Sequence, residues 1–378
     1  MSSNKAIRVG LIGSGFMGRS HAIAMRTVAA VFGLDRPLVP ELLADVDAAT
    51  AARAGKALGI ARTTGDWQAL IADTDVDLVD IAAPNKLHEP MAMAAIAARR
   101  PVYCEKPLAP DAPTAFRMAA AAEAAGIPTF VGFNYLKNPL TRLAREIIEN
   151  GEIGDVWSFR GIHAEDYMSD PQAPWTWRLD PTGGAGVVAD LGSHIIAMSR
   201  YLVGDIASLS ADLTTQVAER PTAEGGTRRV EVDDEARALV RFVNGATGSL
   251  EASWIATGRK MYLAFELTGS KGAICLNMER MNELKLFIRG AAAGREGWVE
   301  IPAGPTHADY APFCPAPGHQ LGFNEIKAIE IKAIAEALTG GPAFQPDFRE
   351  AAMVQATVDA ILRSSTERRW VEVAELVA

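Results

Sequence analysis

The sequence predicts an α/β chain in two parts: a doubly wound parallel sheet first, then an α+β unit built on a large, mostly antiparallel open sheet. Three observations predict it. Ile7–Gly18 is an apolar, β-branched run that stops at Gly13 and continues as Gly13, Gly15 and Gly18, the G-x-G-x-x-G spacing, with a helical pattern from Phe16. Strand-like and helical runs then alternate as far as Val131. Beyond Tyr201 the alternation gives way to short strand-like runs separated by turn pairs such as Asn244-Gly245.

In the opening loop the first glycine permits a tight turn, and the second lets backbone N–H groups approach a pyrophosphate. The third lets helix pack close to strand, and the helix N-terminus adds the positive end of its dipole. Phe16 and Met17 lie inside this loop. Asp45 ends the next apolar run, Glu41–Ala44, where a ribose-binding carboxylate belongs, with a helix and loop over Arg19–Pro40 between them. The combination points to a dinucleotide; a glycine-rich turn in another α/β sheet is the alternative.

An alanine-rich helix Ala48–Leu58 stopped by Gly59, a short strand near Ala61–Thr64, a helical turn Trp67–Ala72 and the strand Val76–Ala82 follow. Pro84-Asn85 closes that strand. The helix Glu89–Arg99, the strand Val102–Cys104, the helix Ala112–Ala125 and the strand Ile127–Val131 complete a domain at residues 1–132, leaving 133–378 as the second. Ligands of open parallel sheets bind beyond the carboxyl ends of the strands, so Glu105-Lys106-Pro107 delivers Lys106 toward the cofactor. The plainer alternative is a solvated charge. His88 stands at a helix start, where a structural hydrogen bond explains it as well as a site role does.

From Gly132 the pattern changes. A helix Pro139–Glu149, ended by Asn150-Gly151, precedes a strand Val156–Ile162. The run Pro174–Asp180 leads into Gly183-Gly184-Ala185-Gly186, and Val187–Tyr201 reads as one helix with Asp190 and His194 four residues apart on one face. Two side chains so placed address one ligand, or form a surface pair. No third ligand at metal spacing accompanies them, so no metal site is expected.

Runs at Ala207–Val217, Ala236–Phe242, Gly248–Ile255, Tyr262–Thr268, Ala273–Leu276 and Glu283–Ile288 supply the large sheet. The helix Val187–Tyr201 covers one face; the other is hidden by the same sheet of a second subunit or by the chain's own loops. The tail reads as a helix Phe323–Leu338 with acids and lysines on its outer face, a helix Asp347–Arg363 and a strand Trp370–Val373. The loop Ala311–His319 is stiffened by three prolines, which either hold His319 toward a ligand or leave it at the surface.

A chain of 378 residues that is 49% hydrophobic and 22% charged is ordinary globular material, and its net charge of −9 argues against nucleic-acid or anionic-membrane partners. Cys104, Cys275 and Cys314 lie far apart with no C-x-x-C pair, so neither a disulfide framework nor a zinc site is indicated. No apolar stretch approaches the ~18 residues of a spanning helix. A soluble, cytoplasmic protein is expected.

Taken together, the glycine loop, Ala83-Pro84-Asn85 followed by His88, Glu105-Lys106-Pro107 and Asp190-x-Gly-x-His194 resemble the Gfo/Idh/MocA oxidoreductase family over most of the chain. Glu279-Arg280-Met281-Asn282-Glu283 and Cys314-Pro315-Ala316-Pro317-Gly318-His319 resemble its inositol and L-glucose dehydrogenase branch. The resemblance implies a Rossmann domain, NAD as cofactor, and oxidation of a secondary hydroxyl on a cyclitol or sugar such as scyllo- or myo-inositol or L-glucose. It places Gly13, Gly15, Phe16, Met17, Gly18, Asp45, Pro84, Asn85, His88, Glu105 and Lys106 at the cofactor. It also implies a catalytic role for Lys106, Asp190 and His194, and frequently a cis Lys106–Pro107 peptide. Relatives usually carry an arginine soon after the Asn-Tyr pair; here Leu136 and Lys137 stand there, and no substrate contact is carried over.

Such an oxidation needs a base for the hydroxyl proton and a cation near the oxygen where negative charge develops. An ordinary imidazole titrates near ~6.5 and a free lysine near ~10.4. His194 is therefore expected as the base, Lys106 as a donor to the substrate oxygen and Asp190 as a positioning group, the last two roles being exchangeable. Arg178 and His319 are nominated to bind substrate; an ion pair of Arg178 with Asp180 or a neighbour is the alternative. Two further classes stay open, an NAD-dependent glycoside hydrolase and a non-catalytic NAD-binding protein. A homo-oligomer, dimer or tetramer through the second sheet, is expected.

Overall fold

The computed structural model describes residues 5–183, 186–292 and 294–377, so Gly184 and Ala185 of the glycine cluster lie outside the described residues. The chain forms two compact units that are not contiguous in sequence, where the sequence predicts one cut after residue 132. The first comprises the chain up to Ala109, Pro113–Lys137 and Leu321–Ala352; the second comprises Pro110–Ala112, Asn138–Gln320 and the chain from Met353.

In the first unit β1 (Ile7–Ile12), β2 (Leu38–Ala44), β3 (Arg62–Thr64), β4 (Leu78–Ile81), β5 (Val102–Cys104) and β6 (Thr129–Val131) form a parallel sheet in the order β3-β2-β1-β4-β5-β6. The helices between them are α1 (Phe16–Phe32), α2 (Ala48–Leu58), α3 (Trp67–Ala72), α4 (His88–Ala97) and α5 (Ala112–Ala125). Strand order reverses between β1 and β4, so the loops after these two strands face the crevice where such sheets bind ligands. Val9, Leu11, Leu43, Val79 and Val102 are fully buried, as parallel strands with both faces covered require.

Strand β2 begins at Leu38 rather than at the expected Glu41, and it contains Pro40. Pro40 has no N–H to donate, and the ladder absorbs this by shifting register between Val9, opposite Pro40, and Gly10, opposite Leu42. The tail also returns to this unit. Its helix Phe323–Leu338 packs along α1, with Phe323 stacked on Phe16 at 5.5 Å, and the Val131 N–H donates to the Pro346 carbonyl. The expectation that the acids and lysines of this helix face outward fails at Lys327 and Glu330, which are fully buried. Opposite charges meet them inside, which is the condition for burying a charge at all.

The second unit opens with α6 (Pro139–Glu149) and contains β7 (Val156–Ala164), α7 (Ser193–Val203) and β8 (Ile206–Thr214). Then come the ribbon β9 (Glu219–Pro221) and β10 (Thr227–Arg229), followed by β11 (Glu235–Phe242), β12 (Thr247–Ser253), β13 (Tyr262–Gly269), β14 (Gly272–Asn277), β15 (Glu283–Ile288), β16 (Val299–Pro302) and β17 (Val371–Glu372). The large sheet runs β16-β15-β14-β13-β7-β12-β11-β8-β17, antiparallel throughout except for the parallel β7–β12 pair. In β11 the alternation is plain: Ala236, Ala238 and Val240 are buried while Arg237, Leu239 and Arg241 are exposed.

The expected strand Ala207–Val217 stops at Thr214, because the Gln216 and Val217 N–H groups donate to the buried Asp234 carboxylate instead of to a neighbouring strand. The ribbon β9–β10 and the edge strand β16 have no counterpart in the sequence reading. Among the described residues no helix is long and apolar enough to cross a membrane.

Candidate active site

Each unit carries one group of functional side chains. In the first, Gly13 has φ 98°, and a Cβ there would lie 2.5 Å from the Ala82 carbonyl; a Cβ on Gly18 would run into the Gly13 carbonyl. Gly15 is different. A Cβ on it would meet nothing within 4 Å, so its space is open to an incoming group rather than filled by protein. Gly15 is also the N-cap of α1 and brings no side chain to the cap, leaving first-turn N–H groups to a ligand.

At the tip of β2, Asp45 Oδ2 accepts from the Ser14 N–H at 2.9 Å and from the Ser14 hydroxyl, and Oδ1 accepts from the Val46 N–H at 2.7 Å. The glycine loop thus holds the carboxylate in place. Phe16 is exposed and Met17 half-buried. After β4, Pro84 is exposed and Asn85 buried. His88 is fully buried, with Nδ1 2.9 Å from the Pro107 carbonyl and Nε2 2.9 Å from the Ala83 carbonyl. Burial lowers its pKa, and the ring ties the loop after β4 to the loop after β5. Lys106 stands half-buried in that second loop, and its peptide bond to Pro107 is cis. Glu105 turns inward, with its Oε2 accepting the Lys106 N–H at 3.1 Å.

In the second unit the segment read as one helix from Val187 begins instead with a π turn, Val188–Gly192, before α7. Asp233 from the chain before β11 builds that start: its carboxylate accepts the Val188 N–H at 2.8 Å and its carbonyl the Val187 N–H at 3.0 Å. Gly186, at φ 99°, is required here because any Cβ would strike the Asp233 carboxylate. Burial raises the Asp233 pKa to about 6.

Asp190 lies on the π turn, and its Oδ2 accepts from the Tyr167 hydroxyl at 2.8 Å and from Arg178 Nε at 3.1 Å. Burial and the Asp190 charge raise the Tyr167 pKa far above its usual range, so the phenol remains a donor. The Arg178 guanidinium also packs over the Trp177 ring at 4.5 Å. Asp180, its alternative partner, accepts instead from the Thr182 N–H and hydroxyl. His194 is buried edge-to-face against His163, with ring centroids 5.3 Å apart. His163 Nδ1 lies 3.0 Å from the Leu191 carbonyl, which can only accept, and Nε2 lies 3.3 Å from Glu165.

The structure therefore brings Arg178 to Asp190, and a second histidine to His194. It leaves the His319 side chain exposed while the Tyr310 hydroxyl donates to the His319 carbonyl. His163, Glu165, Tyr167 and Asp233 are absent from the sequence reading. The available signal was the polar cluster immediately after Ile162, where the strand was expected to stop; β7 in fact runs on to Ala164 and delivers it.

A doubly wound sheet with an open second glycine, an uncapped helix N-terminus and a carboxylate at the tip of β2 fits NAD, and it defines the chain as an NAD-dependent oxidoreductase. Residues 7–133 match the oxidoreductase family with NAD-binding Rossmann fold, and residues 141–275 match the GFO/IDH/MocA C-terminal domain. The levoglucosan dehydrogenase of Pseudarthrobacter phenanthrenivorans is 36% identical over 98% of this chain and 99% of its own length. The inositol 2-dehydrogenase of Acidothermus cellulolyticus is 31% identical over 74% of this chain and 75% of its own. A solved structure of levoglucosan dehydrogenase with NADH and levoglucosan superposes with a TM-score of 0.94 at 37% identity, covering 97% of this chain and 99% of that one. The chain belongs to the Gfo/Idh/MocA family and is an NAD-dependent dehydrogenase acting on CH–OH groups.

Proposed function

We propose that this protein oxidises a secondary ring hydroxyl of a cyclic polyol or sugar. The observation that carries the reading is Asp190, held by Tyr167 and Arg178 one turn from His194. That patch offers a carboxylate, a phenol, a guanidinium and an imidazole together, which suits vicinal hydroxyls better than an apolar alcohol. The names of the relatives support the same class, an anhydrosugar or an inositol, and the resemblance adds an aldose such as L-glucose.

Bound NAD⁺ supplies the hydride acceptor. The glycine loop with Phe16 and Met17 holds its phosphates, Asp45 its ribose diol, and Pro84 and Asn85 line its place, while His88 and the inward-turned Glu105 brace the loops around it. His194 takes the hydroxyl proton, and Lys106 donates to the substrate oxygen as negative charge develops there. Asp190 fixes a neighbouring hydroxyl, a role that could be exchanged with that of Lys106. Arg178, whose side chain keeps 40% of its exposure, is a substrate contact, and His319 is the second candidate.

The test follows NADH absorbance with NAD⁺ and a panel of levoglucosan, inositols, L-glucose and simple alcohols. A ring polyol is expected to react best. Lys106→Met and His194→Ala should each lower turnover by about a hundredfold or more, with NADH binding retained. Reaction confined to non-polyols, or glycoside cleavage with no net NADH, would overturn the reading.

We infer in addition a homo-oligomer, dimer or tetramer, formed through the face of the large sheet that carries Arg160, Ile162, Tyr262 and Glu266. These residues line a shallow cavity of about 470 Å³ that α7 does not cover. A sedimentation mass of one chain would decide against it.

A further inference from the structure

Beneath the loop that carries Lys106, the first unit encloses a group of ionisable side chains that hydride transfer itself does not need. His21 on α1 is fully buried, and each ring nitrogen meets a carboxylate: Nδ1 lies 2.9 and 3.0 Å from the two Asp80 oxygens, Nε2 2.9 Å from Glu105 Oε1. Carboxylates accept, so this geometry asks for a proton on both nitrogens. Lys327 Nζ donates to Glu105 Oε1 at 3.2 Å, to Glu330 Oε2 at 2.6 Å and to the Tyr103 hydroxyl at 3.1 Å. That hydroxyl donates in turn to Glu330 Oε2 at 2.6 Å, and the Tyr103 ring stacks on His21 at 4.7 Å.

Ionised, the set holds two cations against three carboxylates, and the third cation acting on it is Lys106, whose charge bears on Glu105. Buried ion sets of this kind are weak devices for stability, since apolar residues of similar volume often do as well. A positional role explains them better. Glu105 is the member that touches the reaction loop: Oε1 faces His21 and Lys327, while Oε2 accepts the Lys106 N–H at 3.1 Å. Gly132 closes the remaining side, where a Cβ would sit 2.6 Å from Oε1.

We propose that His21, together with Asp80 and Lys327, is a positioning residue. Through the Glu105 carboxylate it fixes the Lys106 peptide, and so fixes where the Lys106 ammonium is presented to the substrate oxygen. This rests on the reading of Lys106 given above.

The test compares wild type with H21Q/D80N, G132A and K106M. H21Q/D80N removes one charge of each sign, and G132A keeps every charge but crowds Glu105. Each sample is measured for kcat and KM on the best panel substrate and for NADH affinity by fluorescence. H21Q/D80N and G132A are expected to bind NADH within about threefold of wild type while kcat falls about tenfold or more, because small misplacement of a catalytic group is costly. Wild-type kcat in both variants overturns the proposal. Neutron diffraction from wild-type crystals near neutral pH tests it without any variant: a deuteron on His21 Nε2, donated to Glu105, is expected, and a bare Nε2 overturns it. The outcomes separate cleanly. Near-normal turnover by K106M sinks the reading of Lys106 itself, whereas an inactive K106M beside fully active H21Q/D80N and G132A sinks only the positioning role.

Discussion

We propose that the Asp45 carboxylate selects the cofactor. Its oxygens are held by Ser14 and Val46, with Val46 and Asp47 following where a 2′-phosphate would want arginine. Like charges about 4 Å apart cost about 4 kcal/mol at the effective dielectric of a protein surface, enough for a preference well over a hundredfold. NAD⁺ should therefore exceed NADP⁺ in kcat/KM by at least about a hundredfold, and Asp45→Ser should narrow the gap mainly by improving NADP⁺. Equal efficiency of wild type with both dinucleotides would contradict this. Arg178→Ala should lower kcat/KM for a ring polyol by about tenfold, since Asp190 then loses the Arg178 Nε donor and the substrate loses a cation. Steady-state kinetics on the panel substrate would show it; unchanged kinetics would remove Arg178 from the site. Glycine spacing and a strand-end acid made Asp45 legible in the sequence. Tyr167 was not, because its partner Asp190 stands 23 residues away.

Among the elements, the short ribbon β9–β10 has the most consequence for its size. Arg220 in β9 is fully buried and donates to the Met168 carbonyl at 2.6 Å and the Asp170 carbonyl at 2.9 Å. The Trp175 N–H donates to the Pro221 carbonyl at 2.8 Å, and Arg228 in β10 packs over the Trp175 ring at 3.7 Å. The ribbon thereby clamps the segment 168–175, which lies between Tyr167 and Arg178, the two residues that hold Asp190. Arg220→Met should strand the buried Met168 carbonyl and remove a donor from the Asp170 carbonyl, at a cost of about 2 kcal/mol. The expected result is a melting temperature lower by several degrees, faster cleavage within 168–178 by a probe protease, and reduced kcat/KM. A variant that resists protease like wild type would show that the ribbon is no clamp. The π turn matters in the same way. A helical period of 3.6 is readable in a sequence, but the extra residue in one turn depends on Gly186 and on Asp233, which is brought in from 45 residues further along the chain.

Over the whole molecule, the buried charges should appear in the dependence of stability on pH. Burial opposes the His21 imidazolium, yet the Asp80 charge and the hydrogen bonds to Asp80 and Glu105 outweigh burial and the Lys327 charge, raising its pKa to about 9. A group whose folded pKa is raised stabilises the fold fully below its unfolded value of about 6.5, and this is lost as pH climbs through about 9. The ceiling on that loss is about 3 kcal/mol. Glu105 behaves oppositely. Burial would raise its pKa, but Lys327 and His21 lower it, so its contribution is present above the ordinary carboxylate range and lost as pH falls. Asp80, raised by burial, favours the folded state only at acid pH, and the raised values of Lys327 and Tyr103 add further losses that begin only as pH climbs past about 10. Wild type should therefore melt highest near pH 5 to 6.5, roughly, and decline toward 9, with that decline reduced in H21Q/D80N. Identical alkaline slopes in the two proteins would refute the assignment.

By itself the sequence determined the alternation of strand and helix, the glycine loop with its acid at Asp45, the lysine after β5 and a helical segment through Asp190 and His194, though not the π turn on which Asp190 lies. Such features arise from sterics and hydrogen bonding among near neighbours, which a linear pattern records. Only the tertiary structure decided that Leu321–Ala352 returns to the first unit and that Asp190 pairs with Arg178 rather than leaving it to Asp180. The same is true of Lys327 and Glu330, which read as an outer face and are buried against groups supplied by α1 and β5. Whether a charge can be buried depends on the partners that reach it, and here those partners lie 84 residues apart for His21 and Glu105 and 222 apart for Glu105 and Lys327.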